Sequence, residues 1–354
     1  MESGTAGAGG GMKGVVYRGP GRVAVEELPL PVLQGPRDAI VRVTRAAVCG
    51  TDLHPYRGEL PDFAPGTVLG HEFAGVVHSA GPEARFRPGD RVFASDVVAC
   101  GRCAQCARGL HYQCAEVSLF GYADVVGKPV DGGQAEFVRV PFADVVLGAT
   151  PADVSDEQGL FVGDVLTTAY AAVRNAGVQA GDRAAVVGAG PVGLLAALCA
   201  RLAGAVETVV ADTDGSRRAR AETLGFRAVD PAEPSAALAV GPGGAQRVVE
   251  AVGTDAALRF ALETAGAGAT IAVAGSHHST AMPFPTGLAF AREWTLRFTV
   301  GDPITLRDEV LGLVRDGSID PCQVVSDRVP LVAAPEAYEA FDQRRAFKTV
   351  LEIG

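Results

Sequence analysis

Short apolar runs alternate with longer amphipathic segments through the second half of the chain. From about residue 165, six runs have the length and the Val- and Ala-rich composition of buried strands, with helical patterns between them. The predicted strands are Ala184–Val187, Thr208–Ala211, Arg227–Val229, Arg247–Ala251, Thr270–Ala274 and Leu296–Val300. Strands and helices that alternate in this way form a doubly wound parallel sheet. We therefore predict a six-stranded α/β domain over residues 165–301.

The first half of the chain has a different pattern. Its strand-like pieces are short, rich in Val and separated by Gly and Pro, which is typical of a small barrel-like β domain. These pieces are Ala39–Val43, Ala74–Ser79, Asp90–Phe93 and Ala135–Val140. After about Asp302 the pattern predicts two helices and a last strand. They are Leu306–Arg315, Ala334–Gln343 and Thr349–Ile353.

Composition and charge narrow the class of protein. A chain of 354 residues accommodates two domains, each with its own core. The formal net charge of −10 argues against a nucleic acid or an anionic membrane as partner, because both favour a basic surface. No apolar stretch is long enough to span a bilayer. Residues 1–11 are rich in Gly and Ala and lack the apolar core of a signal peptide, so we expect a disordered tail on a cytoplasmic protein.

Four closely spaced cysteines form the most specific chemical motif in the chain. Their spacing, C-x2-C-x2-C-x7-C, brings four thiolates within reach of one tetrahedral ion, and we predict a structural zinc lobe over about residues 96–116. The four are Cys100, Cys103, Cys106 and Cys114. An iron–sulfur cluster, a set of disulfides and a chance arrangement remain alternatives. The total of seven cysteines, an odd number, favours reduced metal ligands over a disulfide framework.

A glycine-rich turn joins the first strand of the α/β half to a helix-like run. Gly188 permits the tight turn, Gly190 lets the backbone approach a pyrophosphate, and Gly193 lets the helix pack on the strand. Asp212 ends the next strand, nineteen residues after Gly193. A carboxylate there accepts the ribose hydroxyls of NAD and repels the 2′-phosphate of NADP. We therefore predict NAD in preference to NADP, although Arg217 nearby could soften that preference.

Two further motifs precede the cysteine cluster and complete a set of four. They are Cys49-Gly50-Thr51-Asp52-Leu53-His54 and Gly70-His71-Glu72. With these motifs in this order, the chain from Met12 to Gly354 resembles the zinc-containing medium-chain alcohol dehydrogenases. The resemblance implies a discontinuous GroES-like catalytic domain over residues 12–164 and 302–354 and an NAD-binding Rossmann domain over residues 165–301. It also implies two zinc ions per chain, one catalytic and one structural, and a homodimer or homotetramer joined through an edge strand at Trp294–Val300.

The resemblance assigns the catalytic zinc to Cys49, His71 and Asp164. Much of the family has a cysteine in the third position, and the aspartate is similar to the formaldehyde dehydrogenase and dismutase-like bacterial branch. One thiolate, one imidazole and one carboxylate still cancel the charge of the dication, and the carboxylate leaves the zinc a somewhat harder Lewis acid. Glu72 would support these ligands or act as a displaceable fourth one. The alternative that Glu72 merely fixes a neighbouring arginine stays open.

The implied reaction is NAD(H)-linked hydride transfer between an alcohol and an aldehyde or ketone. Zinc would hold the substrate as an alkoxide, and Thr51 would pass the proton through the cofactor ribose to His54 at the solvent edge. An imidazole suits this role because it titrates near neutral pH. The resemblance also implies further cofactor contacts. Pro191 would contact it from the turn, Val192 would pack against the nicotinamide, and Thr168 would approach the other face of that ring. Arg217 and Lys348 would help to hold the adenosine ribose and the pyrophosphate.

The sequence leaves the identity of the substrate open. Asp96 would indicate a hydroxylated or amino-bearing substrate if it lined the pocket, but it could instead face the structural lobe. His277 and His278 follow the fifth strand of the α/β half and receive no role. A dismutase-like enzyme that keeps NAD bound and a non-catalytic NAD-sensing protein are alternative functions. A zinc-independent reductase is disfavoured, because such relatives generally lack both the lobe and the ligand triad.

Overall fold

The computed structural model describes residues 11–279 and 281–354, and the chain divides into two units. The first unit contains the chain through Gly163 together with Val325–Gly354, and the second contains Asp164–Val324. The first ten residues of the predicted tail lie outside the described residues. Gly11, the last residue of that predicted tail, is the first residue of a strand.

The first unit is mainly β structure. Its strands before the second unit are β1 (Gly11–Gly19), β2 (Arg22–Pro29), β3 (Ala39–Ala47), β4 (Phe73–Ala80), β5 (Arg91–Ala94), β6 (Val97–Val98), β7 (Ser118–Leu119), β8 (Phe137–Val140) and β9 (Leu147–Ala149). Its helices there are α1 (Leu53–Tyr56), α2 (Ala143–Val146) and α3 (Asp156–Val162).

A seven-stranded sheet organises the first unit around β3. The chain returns after the second unit as β16 (Asp327–Pro330), α10 (Ala334–Asp342) and β17 (Thr349–Glu352). The sheet order is β16-β17-β3-β4-β5-β9, and β8 also pairs with β3. In β3, Val41 and Val43 are fully buried while Arg42 between them is exposed, as strand alternation requires. The pairing of β17 with β3 therefore fixes the C-terminal segment within the sheet of the first unit.

The second unit alternates helices with parallel strands. Its strands are β10 (Arg183–Val187), β11 (Glu207–Ala211), β12 (Arg227–Val229), β13 (Ala245–Glu250), β14 (Ala265–Val273) and β15 (Thr295–Phe298). Its helices are α4 (Val165–Ala176), α5 (Pro191–Leu202), α6 (Gly215–Thr223), α7 (Asp255–Thr264), α8 (Thr286–Ala291) and α9 (Pro303–Arg315). None of the helices in the described part of the chain is long and apolar enough to cross a membrane.

All neighbouring strands of the second unit's sheet are parallel, and their order is β12-β11-β10-β13-β14-β15. The fold class predicted from the hydrophobic pattern, a β-rich domain and a six-stranded doubly wound sheet, is confirmed. The strand order reverses direction between β10 and β13. In open α/β sheets the crevice at such a reversal, beside the carboxyl ends of the strands, is where ligands bind.

The second unit extends further along the chain than the boundary that we predicted at residue 301. Helix α9 belongs to it and packs against α4, where Arg174 forms an ion pair with Glu309 at 2.7 Å. The amphipathic pattern of α9 identifies a helix but does not say which unit covers its apolar side. The return to the first unit therefore falls at Val325.

Candidate active site and metal centres

The four clustered cysteines converge in the first unit. Their Sγ atoms all lie within 4.8 Å of one another, and none of the seven cysteines forms a disulfide. The lobe turns tightly, with Gly101 at φ +72° and 3₁₀ turns over Cys106–Arg108 and His111–Gln113. The backbone N–H groups of Cys100 and Glu116 each lie 3.3 Å from Sγ of Cys114, as donors to a thiolate would. Four convergent sulfurs with amide support fit a closed tetrahedral zinc site.

The lobe thiols differ in acidity. The backbone N–H of Cys106 holds the pKa of Cys103 down to about 6, whereas burial raises the pKa of Cys106 to about 12. Because metal binding requires the deprotonated form, zinc would displace the proton from the more basic thiols of this group. The affinity of the lobe for zinc should therefore fall at acidic pH.

Asp96 lies beside this lobe. The hydroxyl of Tyr112, a lobe residue, donates a hydrogen bond to its carboxylate. The Asp96 side chain is buried, and its backbone N–H donates to the carbonyl of Gly163 at 3.3 Å. Of the two interpretations that the sequence leaves open for Asp96, this contact favours the one in which it faces the structural lobe.

A second group of metal-binding side chains contains Cys49, His71, Glu72 and Asp164, whose ligand atoms also lie within 4.8 Å of one another. Cys49 follows β3, and His71 and Glu72 immediately precede β4. The backbone N–H of Ala47 donates to the carbonyl of Glu72 at 3.2 Å and ties these two segments together. Asp164 follows Gly163 directly, so the peptide bond keeps it at the edge of the first unit. Unlike the lobe, this group offers mixed ligands, which is typical of a catalytic metal site.

A buried carboxylate that we did not predict orients His71. Oδ1 of Asp52 lies 3.2 Å from Nδ1 of His71, and its Oδ2 accepts a hydrogen bond from the backbone N–H of Cys49 at 2.9 Å. Nε2 of Gln134 lies 3.2 Å from the same Oδ2, and the hydroxyl of Tyr338 donates to Oε1 of Gln134 at 2.8 Å. Such contacts fix the orientation of a metal-binding histidine. The position of Asp52 inside the Cys49–His54 motif is the sequence feature from which this role could have been predicted.

Glu72 forms a buried ion pair with Lys348. Both carboxylate oxygens lie close to Nζ of Lys348, at 2.6 and 2.7 Å, and the carbonyl of Val48 accepts from the same ammonium at 3.2 Å. We expected Lys348 to hold the cofactor and Glu72, in one interpretation, to fix an arginine. The structure places the Lys348 ammonium on Glu72, because β17 lies next to β3 and carries Lys348 towards the metal-binding segment. A contact between Lys348 and the cofactor stays a prediction.

Burial raises the pKa of the Cys49 thiol, and the charge of Glu72 adds to that effect. Thr51 stands beside Cys49, with 3.9 Å between Oγ1 and Sγ. The ring of His54 contacts Glu59, with 2.6 Å between Nδ1 and Oε2. The side chain of His54 is only 19% exposed.

The glycine-rich turn of the second unit has the geometry that the motif predicts. Gly188 has φ +100°, a left-handed conformation that favours glycine. A Cβ on Gly193 would lie 1.8 Å from the carbonyl oxygen of Gly188, so the helix start and the turn are in direct contact. A Cβ on Gly190 would have only Arg217 Nη1, 4.0 Å away, as a neighbour. Gly190 is the N-cap of α5 and Pro191 opens the helix, which leaves helix N–H groups at this end.

Asp212 lies against this turn. Its Oδ2 accepts a hydrogen bond from the backbone N–H of Ala189 at 2.8 Å, and its Oδ1 accepts from the N–H of Asp214 at 2.9 Å. Arg217 approaches the same carboxylate, with 3.8 Å between Nη1 and Oδ2. These contacts orient Asp212 at the carboxyl end of β11. They also put a cation next to the carboxylate that was predicted to select NAD.

Two other predicted cofactor contacts lie at the starts of helices in the second unit. Val192 is half-buried in the first turn of α5. Thr168 lies in the first turn of α4, where its Oγ1 is 3.3 Å from Oδ1 of Asp164. A Cβ on Gly301 would lie 2.4 Å from the same Oγ1, so Thr168 is packed closely against the segment after β15.

Two protein-family models match the chain, one within the first unit and one within the second. Residues 35–150 match the alcohol dehydrogenase GroES-like domain, and residues 191–314 match the zinc-binding dehydrogenase domain. The two matched regions contain the lobe cysteines, the Cys49 and His71 motifs and most of the six-stranded sheet.

Several known proteins are similar over most of the chain. A probable zinc-binding alcohol dehydrogenase of Mycobacterium tuberculosis is 36% identical over 92% of this chain and 84% of its own length. A glutathione-independent formaldehyde dehydrogenase of Pseudomonas aeruginosa is 37% identical over 70% of this chain and 66% of its own. The solved structure of alcohol dehydrogenase TADH from Thermus sp. ATN1 matches with a TM-score of 0.92 and 37% identity, over 97% of this chain and 100% of that one. The chain therefore belongs to the zinc-containing medium-chain alcohol dehydrogenase family.

Proposed function

We propose that the protein is a zinc-dependent, NAD(H)-linked dehydrogenase that interconverts an alcohol with an aldehyde or ketone. The observation that carries the proposal is a group of mixed ligand types whose ligand atoms all lie within 4.8 Å of one another. The group consists of Cys49, His71, Glu72 and Asp164. A site that only stabilised the fold would be closed by four strong ligands, as the cysteine lobe is. A thiolate, an imidazole and a carboxylate would hold zinc and leave a position for the substrate oxygen, while the Glu72 carboxylate is paired with the Lys348 ammonium.

Zinc, when bound, supplies a Lewis acid that lowers the pKa of a coordinated hydroxyl, and the nicotinamide cofactor accepts or donates the hydride. The residues around the site would then handle the proton. Thr51, with Oγ1 3.9 Å from Cys49 Sγ, would accept it from the alcohol while its own hydroxyl proton passes on towards His54. His54 would release it to water, and Glu59, 2.6 Å from Nδ1, would hold the ring in one orientation for that exchange.

We infer NAD rather than NADP as the preferred cofactor. Asp212 is buried at the carboxyl end of β11, where a carboxylate competes with a 2′-phosphate for the same space. Arg217 moderates this preference, because its guanidinium lies 3.8 Å from the carboxylate and could pair with a phosphate. A solved relative from Sinorhizobium meliloti, 29% identical, is bound to NADP. We therefore expect slow turnover with NADP instead of none.

We also propose that two copies associate through the outer edge of the six-stranded sheet. Strand β15 is the last strand in the sheet order, and Phe298 on it is 65% exposed. Phe290 on the neighbouring helix α8 is exposed as well. An apolar open edge favours pairing with another strand. A homodimer or homotetramer in the cytoplasm remains our proposal.

The test combines metal content with turnover. The purified protein should contain two zinc ions per chain and reduce NAD with at least one member of a panel of primary, secondary and polyhydroxylated alcohols. Asp164→Asn should retain the lobe zinc, lose most of the second zinc and lose most of the turnover. One zinc per chain in the wild-type protein, with no turnover of any alcohol or aldehyde, would contradict the proposal.

The same experiment separates the dismutase-like alternative. The formaldehyde dehydrogenase relative and Asp164 motivate that alternative, in which NAD stays bound while two aldehyde molecules exchange a hydride. Turnover of an aldehyde without added cofactor, by protein that copurifies with NAD, would favour it. Strict dependence on added NAD supports the dehydrogenase.

A further inference from the structure

Glu250 is a fully buried carboxylate at the end of β13, and the reaction proposed above does not use it. Its Oε1 accepts hydrogen bonds from the backbone N–H groups of Val252 and Gly253, at 2.7 and 2.8 Å. Its Oε2 lies 3.2 Å from Nε2 of His277, in the loop after β14. An isolated charge away from water is strongly destabilising, so a buried carboxylate persists only with such partners. Glu250 therefore holds its own turn and the neighbouring loop at the same time.

The turn and the loop that Glu250 joins are in direct backbone contact. The N–H groups of Ala274 and Gly275 donate to the carbonyl of Glu250, at 2.7 and 3.1 Å. A Cβ on Gly275 would lie 2.0 Å from the nitrogen of Gly253, and a Cβ on Gly253 would lie 2.3 Å from the oxygen of Ser276. A shift of either segment would therefore displace the other.

The same turn packs against the glycine-rich turn after β10. A Cβ on Gly188 would lie 2.6 Å from Cγ2 of Val252, and the N–H of Ala251 donates to the carbonyl of Val187 at 2.8 Å. Strands β10 and β13 are the pair at which the sheet order reverses, so this is the crevice that receives a dinucleotide. Asp212 on β11 marks the adenosine side of that crevice. The other half of the cofactor would then lie towards β13 and β14.

We propose that Glu250 and His277 are a positioning pair for the nicotinamide half of the cofactor. The pair holds the loops after β13 and β14 in the conformation to which the cofactor would bind. This inference rests on the proposed function, because it requires a nicotinamide cofactor in the crevice. Neither residue needs to touch the reacting atoms.

His277 is suited to this role by its surroundings. Its side chain is 14% exposed, and its ring lies edge-on to that of Phe298, with 6.3 Å between centroids. Another residue of the same loop is held independently, because Ser279 Oγ donates to Oδ1 of Asp255 at 2.6 Å. The next residue, His278, is exposed and lies 3.4 Å from Ser276 Oγ. His278 therefore provides a matched control of the same residue type in the same loop.

The test measures NADH binding to the full-length protein by fluorescence titration, without substrate. His277→Ala should raise the dissociation constant about tenfold, as expected when a charge-assisted hydrogen bond that holds the site is lost. Glu250→Gln should weaken binding to a similar degree. His277→Gln, which can still donate to Glu250, should bind within about twofold of wild type, and so should His278→Ala.

Kinetics provide a second readout that general loss of structure would not produce. In His277→Ala the KM for NAD should rise, while kcat and the KM for the alcohol change by less than about twofold. Melting temperatures of all variants show whether each one folds. If His277→Ala and Glu250→Gln fold and bind NADH like His278→Ala, the positioning role is refuted while the dehydrogenase proposal stands. If the wild-type protein binds neither NADH nor NADPH, both fail.

Discussion

Three of the buried carboxylates at the candidate sites each have a different kind of partner. Asp52 lies against a histidine, Glu72 against a lysine, and Asp212 against backbone N–H groups. Carboxylates that are buried without a partner are strongly destabilising, so these partners are as important to the sites as the carboxylates themselves. A substitution of a partner residue should therefore disturb the site, even where the partner itself binds neither metal nor cofactor.

Lys348→Met tests this at the most deeply buried pair. The substitution leaves the Glu72 carboxylate without its cation, and we expect a loss of roughly 3–5 kcal/mol in the free energy of unfolding. Urea unfolding of the zinc-loaded protein, followed by circular dichroism, measures it. The double variant Lys348→Met with Glu72→Gln removes both charges and should recover most of the loss. Equal destabilisation of the single and double variants would show that the ion pair is not the cause.

Individual site residues were predictable from the sequence only where a short motif carries them. Cys49, His71 and the lobe cysteines come together as their motifs predict. Asp52 was missed although it stands within a motif, because sequence spacing does not show which neighbour a side chain contacts. The pairing of Lys348 with Glu72 was not predicted, since nothing along the chain indicates that two residues 276 positions apart are in contact. Long-range pairs of this kind depend on strand register.

At the level of elements, the start of helix α6 shows how one side chain determines a boundary. Asp214 is the N-cap, and its Oδ1 accepts from the backbone N–H groups of Ser216 and Arg217 at 2.8 and 3.2 Å. The hydroxyl of Ser216 donates to the same oxygen at 2.6 Å and is the main reason why the pKa of Asp214 lies below its ordinary value of 3.8. The ionised carboxylate therefore stabilises the helix start.

Asp214→Ala should lower the free energy of unfolding by about 1 kcal/mol at pH 7. Because the pKa is lower in the folded protein, the ionised cap contributes fully above pH 3.8 and loses its contribution as the pH falls through the lowered value. The difference in the free energy of unfolding between Asp214→Ala and wild type should therefore become smaller in strongly acidic solution. Asp214→Ser keeps a capping oxygen without a titrating group and is the matched control. A difference between wild type and Asp214→Ala that stays constant from pH 7 to pH 3 would contradict this explanation.

The apolar runs of the second unit were sufficient to predict all six of its strands, because both faces of a parallel sheet are covered and its strands are continuously apolar. Strand β14 nevertheless starts at Ala265, five residues before the predicted Thr270. The added segment is Gly- and Ala-rich and pairs irregularly with β13, so it has no strand-like pattern. Strand β2 was not predicted, because it is partly exposed and carries adjacent glutamates. Its partner β1 was not predicted either.

At the level of the whole molecule, the two groups of metal-binding residues should be separable by mutation. Cys103→Ser removes one of four lobe thiols, and we expect the protein to lose about one zinc per chain and to melt at lower temperature, because a structural zinc contributes directly to folding. Metal analysis and thermal unfolding measure both effects. Cys322→Ser, which changes a half-buried cysteine outside both groups, should retain two zincs and the wild-type melting temperature. A Cys103→Ser protein with wild-type stability and reduced turnover alone would contradict the structural role.

The chain has a single tryptophan, and its position gives it a practical use. Trp294 precedes β15, and its indole Nε1 donates to the carbonyl of Gly266 at 2.7 Å beside the start of β14. All indole emission from this protein therefore originates at the outer edge of one sheet, and the first unit contributes none. A red shift of the emission maximum, or a change in the quenching of this emission by iodide, therefore reports on that edge of the sheet. Fluorescence spectroscopy could thus follow the proposed pairing of subunits during dilution, without any introduced label.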